Sequence, residues 1–148
     1  MKPFPRPLID YKLLNARQKE NYNYQKVSAI LADYGFHTQR LTDDWNGADF
    51  IAQHIDGETI LKIQLKGRLS FATKYQGKNL WIAFRSNENW YLYPHDKLLK
   101  IALDETDMGK SEAWKSGGYT YPGLSSAMMK RLNRYRLNTA EPGAAANP

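Results

Sequence analysis

Three polar residues on two neighbouring predicted strands have side chains of the types that phosphodiester chemistry uses. Asp49 stands near the start of one strand, and Gln64 and Lys66 stand two residues apart on the next. A carboxylate can anchor a divalent cation, and amide or carbonyl oxygens can complete the coordination shell. An ammonium group can orient water or stabilise developing negative charge. The same spacing leaves the backbone carbonyl of Leu65 available as a ligand.

A short β-hairpin is predicted to bring these side chains together. Residues 49–55 and 59–66 read as strands on either side of the turn pair Asp56-Gly57. Counting outward from that turn places Asp49 opposite Gln64. Because side chains alternate across a strand, one face of the second strand carries Lys62, Gln64 and Lys66, and the other carries Leu61, Ile63 and Leu65. The apolar face can pack on a helix.

The remaining pattern predicts an α/β fold with a central mixed β-sheet, an N-terminal helix and C-terminal helices. Residues 69–79 form a short link after the Lys66 strand, where a parallel crossover usually needs a dozen residues or more. The other predictions are a helix over 15–34 ended by Gly35, a strand over 36–41, a polar loop over 42–47, a hairpin of 80–85 with 90–93, a helix that starts at His95 or Asp96, and a last helix over 124–137. We expect one domain, 1–137, and a disordered tail, 138–148.

Composition and size fit a globular protein. The chain has 148 residues, 42% of them hydrophobic, and no cysteine, which excludes disulfides and thiolate metal sites. No apolar stretch approaches the roughly 18 residues of a membrane helix. The proline-rich start lacks the apolar segment of a secretory signal, so a cytoplasmic location is expected.

Positive charge is clustered along the chain, whose net charge is +6. One run, from Ile60 to Lys78, contains no acid, and a second lies near the C-terminus. Clustered basic charge attracts a phosphate backbone, although it is equally compatible with a solubilising surface. The residues predicted to bind nucleic acid are Lys62, Arg68, Lys74, Lys78, Lys130, Arg131 and Arg134.

The pattern of Asp49 followed by Gln64-Leu65-Lys66, after a helix ending in "LADYGF", resembles the PD-(D/E)XK nuclease superfamily. It is most similar to branches with glutamine in the second acidic position, such as Mrr-like restriction endonucleases, and to archaeal Holliday-junction resolvases. The resemblance implies a restriction-endonuclease-like core that cuts DNA with Mg²⁺ or Mn²⁺. It also implies that Asp49, Gln64 and the Leu65 carbonyl bind the metal, and that Lys66 is the catalytic lysine.

Two departures from that pattern affect what it implies. Ala48 replaces the proline of the family name, which contributes no ligand. Gln64 replaces a carboxylate, which removes negative charge from the site and weakens metal binding.

Glu20, on the predicted buried side of the first helix, is a candidate extra ligand of the kind that several relatives carry. An exposed or capping role near the helix start is favoured for Glu20 over that of a ligand.

Other interpretations of these residues stay open. Asp49 could satisfy loop amides, and Gln64 and Lys66 could face solvent on a half-exposed strand. A nuclease-like domain that binds DNA or a partner without cutting is the main alternative function, and a protein-interaction domain is a third. A homodimer is plausible, because cutting both strands of a duplex usually takes two sites. Core packing is favoured for Trp81, Trp90, Tyr91 and Tyr93, and surface or capping roles are expected for His37, His54 and His95.

Overall fold

A mixed β-sheet lies at the centre of the fold in a computed structural model that describes residues 4–138. Within that range the sheet has six strands in the order β1-β2-β3-β5-β6-β8. Strands β3 and β5 run parallel, and the other neighbouring pairs are antiparallel. The strands are β1 (Phe36–Trp45), β2 (Ala48–His54), β3 (Ile60–Leu65), β5 (Leu80–Ser86), β6 (Asn89–Pro94) and β8 (Arg136–Leu137).

A second, two-stranded sheet and four α-helices complete the described part of the chain. The small sheet pairs β4 (Ser70–Ala72) with β7 (Gly118–Thr120). The helices are α1 (Ala16–Asp33), α2 (His95–Glu105), α3 (Glu112–Lys115) and α4 (Ser126–Leu132). Within residues 4–138, none of the helices is long and apolar enough to span a membrane. The predicted α/β fold with a mixed sheet and helices at both ends is confirmed.

Helix α1 covers one face of the sheet. It begins at Asn15, whose side chain accepts from the Gln18 N–H while the Gln18 side chain accepts from the Asn15 N–H, a reciprocal cap that satisfies two otherwise unpaired amides. It ends at Gly35, where φ is +86° and a side chain would be strained. Val27 and Leu31 of α1 pack against the buried Ile63 of β3. The apolar face of the hairpin therefore packs on the helix, as predicted.

The opposite face of the sheet packs against the C-terminal helices. A second buried cluster joins Ile82 and Tyr93 of the sheet to Leu98 of α2 and Met128 of α4. Trp90, Tyr91 and Tyr93 are buried, and Trp81 is half-buried beside the α1 cluster. The expected core role of these aromatic residues is confirmed.

The link between β3 and β5 contains β4 and a 3-10 helix, Thr73–Tyr75, instead of an α-helix. It is held from the side by His95, the first residue of α2, which is fully buried. His95 Nε2 accepts from the Ala72 N–H at 3.1 Å, so Nδ1 carries the proton and donates to Asp96 Oδ1 at 2.8 Å. The prediction of a surface or capping histidine was wrong here, because the imidazole supplies a buried hydrogen-bond acceptor to the link.

Two further sequence predictions were wrong in extent. Residues 42–45, expected as loop, continue β1, because Asn46 and Gly47 both have positive φ and close a two-residue turn between Trp45 and Ala48. The last helix stops at Leu132, and a 3-10 turn then leads into β8, which pairs with β6 and forms the edge of the sheet. The predicted tail, 138–148, lies outside the described residues apart from Asn138.

Candidate active site

The candidate site lies where β2 and β3 separate. Their backbone pairing runs from Gln53 opposite Ile60 to Phe50 opposite Ile63, which is the predicted register. One residue further along β2 the backbone pairing has ended, and the Asp49 side chain makes the next hydrogen bond. Its Oδ2 accepts from the Leu65 N–H at 2.8 Å. A side chain thus replaces a backbone partner at the end of the ladder, and this bond fixes the position of the carboxylate.

Asp49, Gln64 and Lys66 line the same open groove, whose volume is about 620 Å³. The hairpin register and the alternation of side chains bring them to one face of the sheet. The 3-10 helix of the β3–β5 link forms another part of the wall. The remaining lining residues are Asp44, Trp45, Asn46, Gly47, Lys74, Tyr75 and Lys78.

The environment of Asp49 disfavours its charged form. Burial raises the pKa of its carboxyl above the ordinary value of 3.8, and the nearby Glu20 carboxylate acts in the same direction. The Leu65 N–H and the positive charges of Lys66 and Arg40 oppose this shift without cancelling it. Asp49 is therefore a carboxylate whose charge is incompletely compensated by the protein, and a bound cation would relieve that deficit.

Lys66 brings positive charge to the groove. Its ammonium lies over the Tyr75 ring, 5.4 Å from the ring centre, and Lys74 lies at the same distance from that ring. Within residues 4–138 Lys66 forms no ion pair with a carboxylate. The cation–π contact restrains the ammonium while leaving its charge available to an anion.

The oxygen donors of the groove suit a hard cation, although few of them are charged. Gln64 supplies an amide oxygen, and its nitrogen makes only a long 3.4 Å contact to the Leu65 carbonyl. With Asp49, these groups offer one carboxylate and two neutral oxygens. In the described part of the chain, no three His, Asp or Glu side chains are grouped to hold a metal. The donor set fits Mg²⁺, which commonly binds through one or two carboxylates plus substrate phosphates and water.

Glu20 lies near the site but is not buried. Its carboxylate bonds the Arg40 guanidinium of β1 at 3.1 Å, and both side chains are about half exposed. With Asp49 and Asp44 it lines a neighbouring groove of about 560 Å³. The prediction that it faces the buried side of the helix was wrong, because the apolar stripe of α1 starts one turn later, at Tyr24. Its proposed role as a ligand stays a prediction.

The basic residues predicted to bind nucleic acid are not gathered on one surface. Lys74 and Lys78 line the groove, and Lys62 lies beside it, donating to the Lys78 carbonyl at 2.6 Å. Arg68 lines a separate cavity of about 350 Å³. Arg131 is paired with Glu105 of α2. Lys130 and Arg134 are exposed around the end of α4. Positive charge at the groove therefore comes from the first basic run.

Sequence reasoning missed two aromatic residues of the groove. Trp45 was assigned to a loop, and Tyr75 to the unstructured link. The dipeptide Asn46-Gly47 was the available signal for Trp45, since it is a strong indicator of a two-residue hairpin turn. Nothing in the sequence marked Tyr75, because its position depends on the pairing of β4 with β7.

The fold and the groove together define an α/β protein with a carboxylate, an amide and lysines at the open end of a β-hairpin. No protein-family model and no curated protein matches the sequence.

Similar solved structures include two nucleases. One is Hjc, a Holliday junction resolvase from the archaeon Archaeoglobus fulgidus, with 16% identity over 47% of this chain and 74% of the resolvase, at a TM-score of 0.38. The other is a bacterial homing endonuclease, with 16% identity over 82% of this chain and 86% of the endonuclease, at a TM-score of 0.44. At this identity the likeness concerns the fold alone, so the site must be judged on its own residues.

Proposed function

We propose that the chain is a metal-dependent nuclease that hydrolyses DNA phosphodiester bonds in the groove of Asp49, Gln64 and Lys66. The observation that carries this proposal is the convergence of these three side chains on one groove that also contains Lys74 and Lys78. Lysines attract the phosphate backbone, and the trio supplies the groups that hydrolysis requires.

Each residue has a distinct part in the proposed reaction. Asp49, held by the Leu65 N–H, would anchor Mg²⁺ or Mn²⁺ together with the Gln64 amide oxygen and the Leu65 carbonyl. The chemistry that such an ion supplies is Lewis-acid polarisation of the scissile phosphate. Lys66 stabilises the negative charge that develops as water adds to phosphorus and one P–O ester bond breaks. Because each groove cuts one strand, cleavage of both strands of a duplex would use a homodimer.

Plasmid cleavage with Mg²⁺ or Mn²⁺ tests the proposal. The natural protein should nick or linearise supercoiled DNA, whereas Asp49→Ala and Lys66→Ala should lose at least roughly a hundred-fold in rate, as expected for loss of a charge-stabilising group. Lys100→Ala, which removes an exposed lysine outside the groove, is the matched control and should cleave normally. Equal cleavage by all four proteins would overturn the assignment of the site.

The second candidate function is a DNA-binding domain of the same fold that does not cut. It is favoured by one observation: the three proposed metal ligands include a single carboxylate, Asp49. Salt-sensitive DNA binding without turnover in either metal would establish this function in place of the first.

A further inference from the structure

We propose that Trp45 is a stacking platform for an unpaired nucleobase, so that the groove takes a nucleic-acid strand with at least one unpaired nucleotide beside the scissile phosphate. This inference rests on the proposed function in one respect, namely that the groove binds nucleic acid. The inference adds that the substrate contains an unpaired nucleotide, which neither the trio of Asp49, Gln64 and Lys66 nor the lysines define.

Trp45 is unusual among the aromatic side chains of the sheet, because half of its surface (50%) is exposed. Strands β5 and β6 bury most of their aromatic residues, whereas Trp45 ends β1 and lines the groove. The exposed half of this ring makes no packing contact within residues 4–138. It does offer a flat surface for a ligand.

The turn that carries Trp45 is held in place. Asn46 and Gly47 adopt positive φ values of 54° and 87°, and the Gly47 N–H donates to Asp44 Oδ1 at 3.1 Å. Gly47 also lies against Tyr75, so closely that a β-carbon there would stand 3.0 Å from the ring. The indole is therefore pre-positioned, which lowers the entropy lost when a base stacks on it.

Positive charge surrounds the indole on the side of the groove. The Lys62 ammonium lies 5.6 Å from the Trp45 ring centre, and Lys66, Lys74 and Lys78 belong to the same groove or its rim. An aromatic ring among lysines is the combination that single-strand-binding grooves use, since the ring stacks on a base while the ammonium groups follow the backbone.

Geometry favours an unpaired base over a base pair. In a duplex the faces of the bases are covered by their neighbours, and only the edges reach the grooves. A base can stack on the indole face only when it has left the stack of the duplex or has no partner base. The platform and the trio line one groove, so the stacked base and the phosphate beside the trio would belong to nearby nucleotides.

The test separates binding from cutting, because it is done in EDTA at low salt. The probes are a fluorescein-labelled single-stranded oligonucleotide, the matching duplex, and a duplex with a three-nucleotide single-stranded gap, each with 2-aminopurine at one position. The natural protein should bind the single strand and the gapped duplex more tightly than the duplex, and it should change the 2-aminopurine fluorescence. Trp45→Ala should weaken binding of the first two roughly ten-fold, the loss expected for one base–aromatic stack.

Two further variants make the result specific. Trp45→Phe retains a ring and should retain most of the affinity, while Phe4→Ala removes an exposed aromatic residue outside the groove and should change nothing. Circular dichroism and thermal melting establish that each variant is folded. Unchanged single-strand binding by Trp45→Ala, or an equal loss on all three probes, would overturn the inference.

The two proposals fail in different ways. If the protein binds unpaired strands through Trp45 but never cuts in Mg²⁺ or Mn²⁺, the nuclease assignment is lost and the stacking platform stands. If the natural protein and Trp45→Ala cut and bind every probe alike, the platform is lost and the nuclease stands.

Discussion

The Asp49 carboxylate accepts a structural hydrogen bond and is also the candidate metal ligand. The bond from the Leu65 N–H requires only an oxygen at that place, and an amide would serve as well. Metal binding requires the charge, which burial and the Glu20 carboxylate oppose. An ionised side chain in an environment that disfavours its charge lowers the stability of the folded state. Such side chains are expected at functional sites.

Asp49→Asn is therefore expected to raise the free energy of unfolding at pH 7. The raised pKa means that the folded state holds the carboxyl proton more tightly than the unfolded state, so the ionised group destabilises the fold above the folded-state pKa. As the pH falls below the unfolded value of about 3.8, both states are protonated and the gain should disappear. Thermal melting of both proteins between pH 3 and pH 7 measures the difference.

Asp56 in the β2–β3 turn provides a control of opposite sign. Its carboxylate accepts from the Glu58 and Thr59 N–H groups and from the Thr59 hydroxyl, and these bonds hold its pKa well below the usual range. Asp56→Asn should lower the melting temperature at pH 7, with the loss fading as the pH falls through 3.8 towards the lower folded-state value. A stabilised Asp56→Asn, or an unchanged Asp49→Asn, would contradict the account given for each residue.

At the scale of elements, the β1–β2 hairpin depends on the conformation of its two turn residues. Asn46 and Gly47 adopt the left-handed region, which suits a two-residue hairpin because its twist matches that of the strands. Only Gly47 is also crowded, by the Tyr75 ring. The same glycine therefore fixes the turn and lets the β3–β5 link approach it.

Gly47→Ala should destabilise the protein by roughly 1–3 kcal/mol, since it adds a side chain at positive φ and forces the Tyr75 ring to shift. Gly57→Ala is the matched control, because Gly57 has a φ of +75° but nothing within 4 Å of the added carbon. Its cost should be limited to backbone strain. Urea unfolding of the three proteins measures both effects, and a loss at Gly57 as large as at Gly47 would exclude crowding as a cause.

Local sequence patterns were sufficient to predict the elements whose contacts are made by residues close together in the sequence. The end of the first helix at Gly35, the turn at Asp56-Gly57 and the alternation along β3 are all encoded within a few residues, and each agrees with the structure. The link after β3 was not predictable in this way, because β4 pairs with a strand almost fifty residues later. Likewise, β8 forms only because the edge of β6 is present to receive it.

At the scale of the whole molecule, the net charge of +6 is less informative than its distribution. The sequence predicted that residues of the first basic run bind nucleic acid, and two of them, Lys74 and Lys78, line the groove. It gave no sign that Arg131 is paired with Glu105, which depends on how α4 packs on α2. Spacing in the sequence predicted that Asp49, Gln64 and Lys66 share one face of the sheet. The pairing of basic residues with distant carboxylates could be seen only in the tertiary structure.

DNA binding should depend on salt mainly through the groove. Each lysine that neutralises a phosphate contributes about −0.7 to −0.9 to the slope of log K against log salt. The double variant Lys74→Gln, Lys78→Gln should therefore flatten the slope by roughly 1.5, measured by fluorescence anisotropy between 50 and 300 mM salt.

The matched control is Lys130→Gln with Arg134→Gln, which removes the same charge near the end of α4. It should flatten the slope much less. An equal effect of the two double variants would mean that the nucleic acid also lies across the C-terminal helix, as the second basic run in the sequence predicts.

The pairing of β4 with β7 has a consequence for how the protein matures during synthesis. The trio is complete once residue 66 has been made, yet the segment that bears Tyr75 and Lys74 is anchored by residues 118–120. Gly118 lies so close to this segment that a β-carbon there would stand 3.0 Å from the Phe71 carbonyl oxygen. A nascent chain on the ribosome thus carries Asp49, Gln64 and Lys66 long before it can build the wall beside them, and the groove is completed only when the last fifth of the 148 residues is being made.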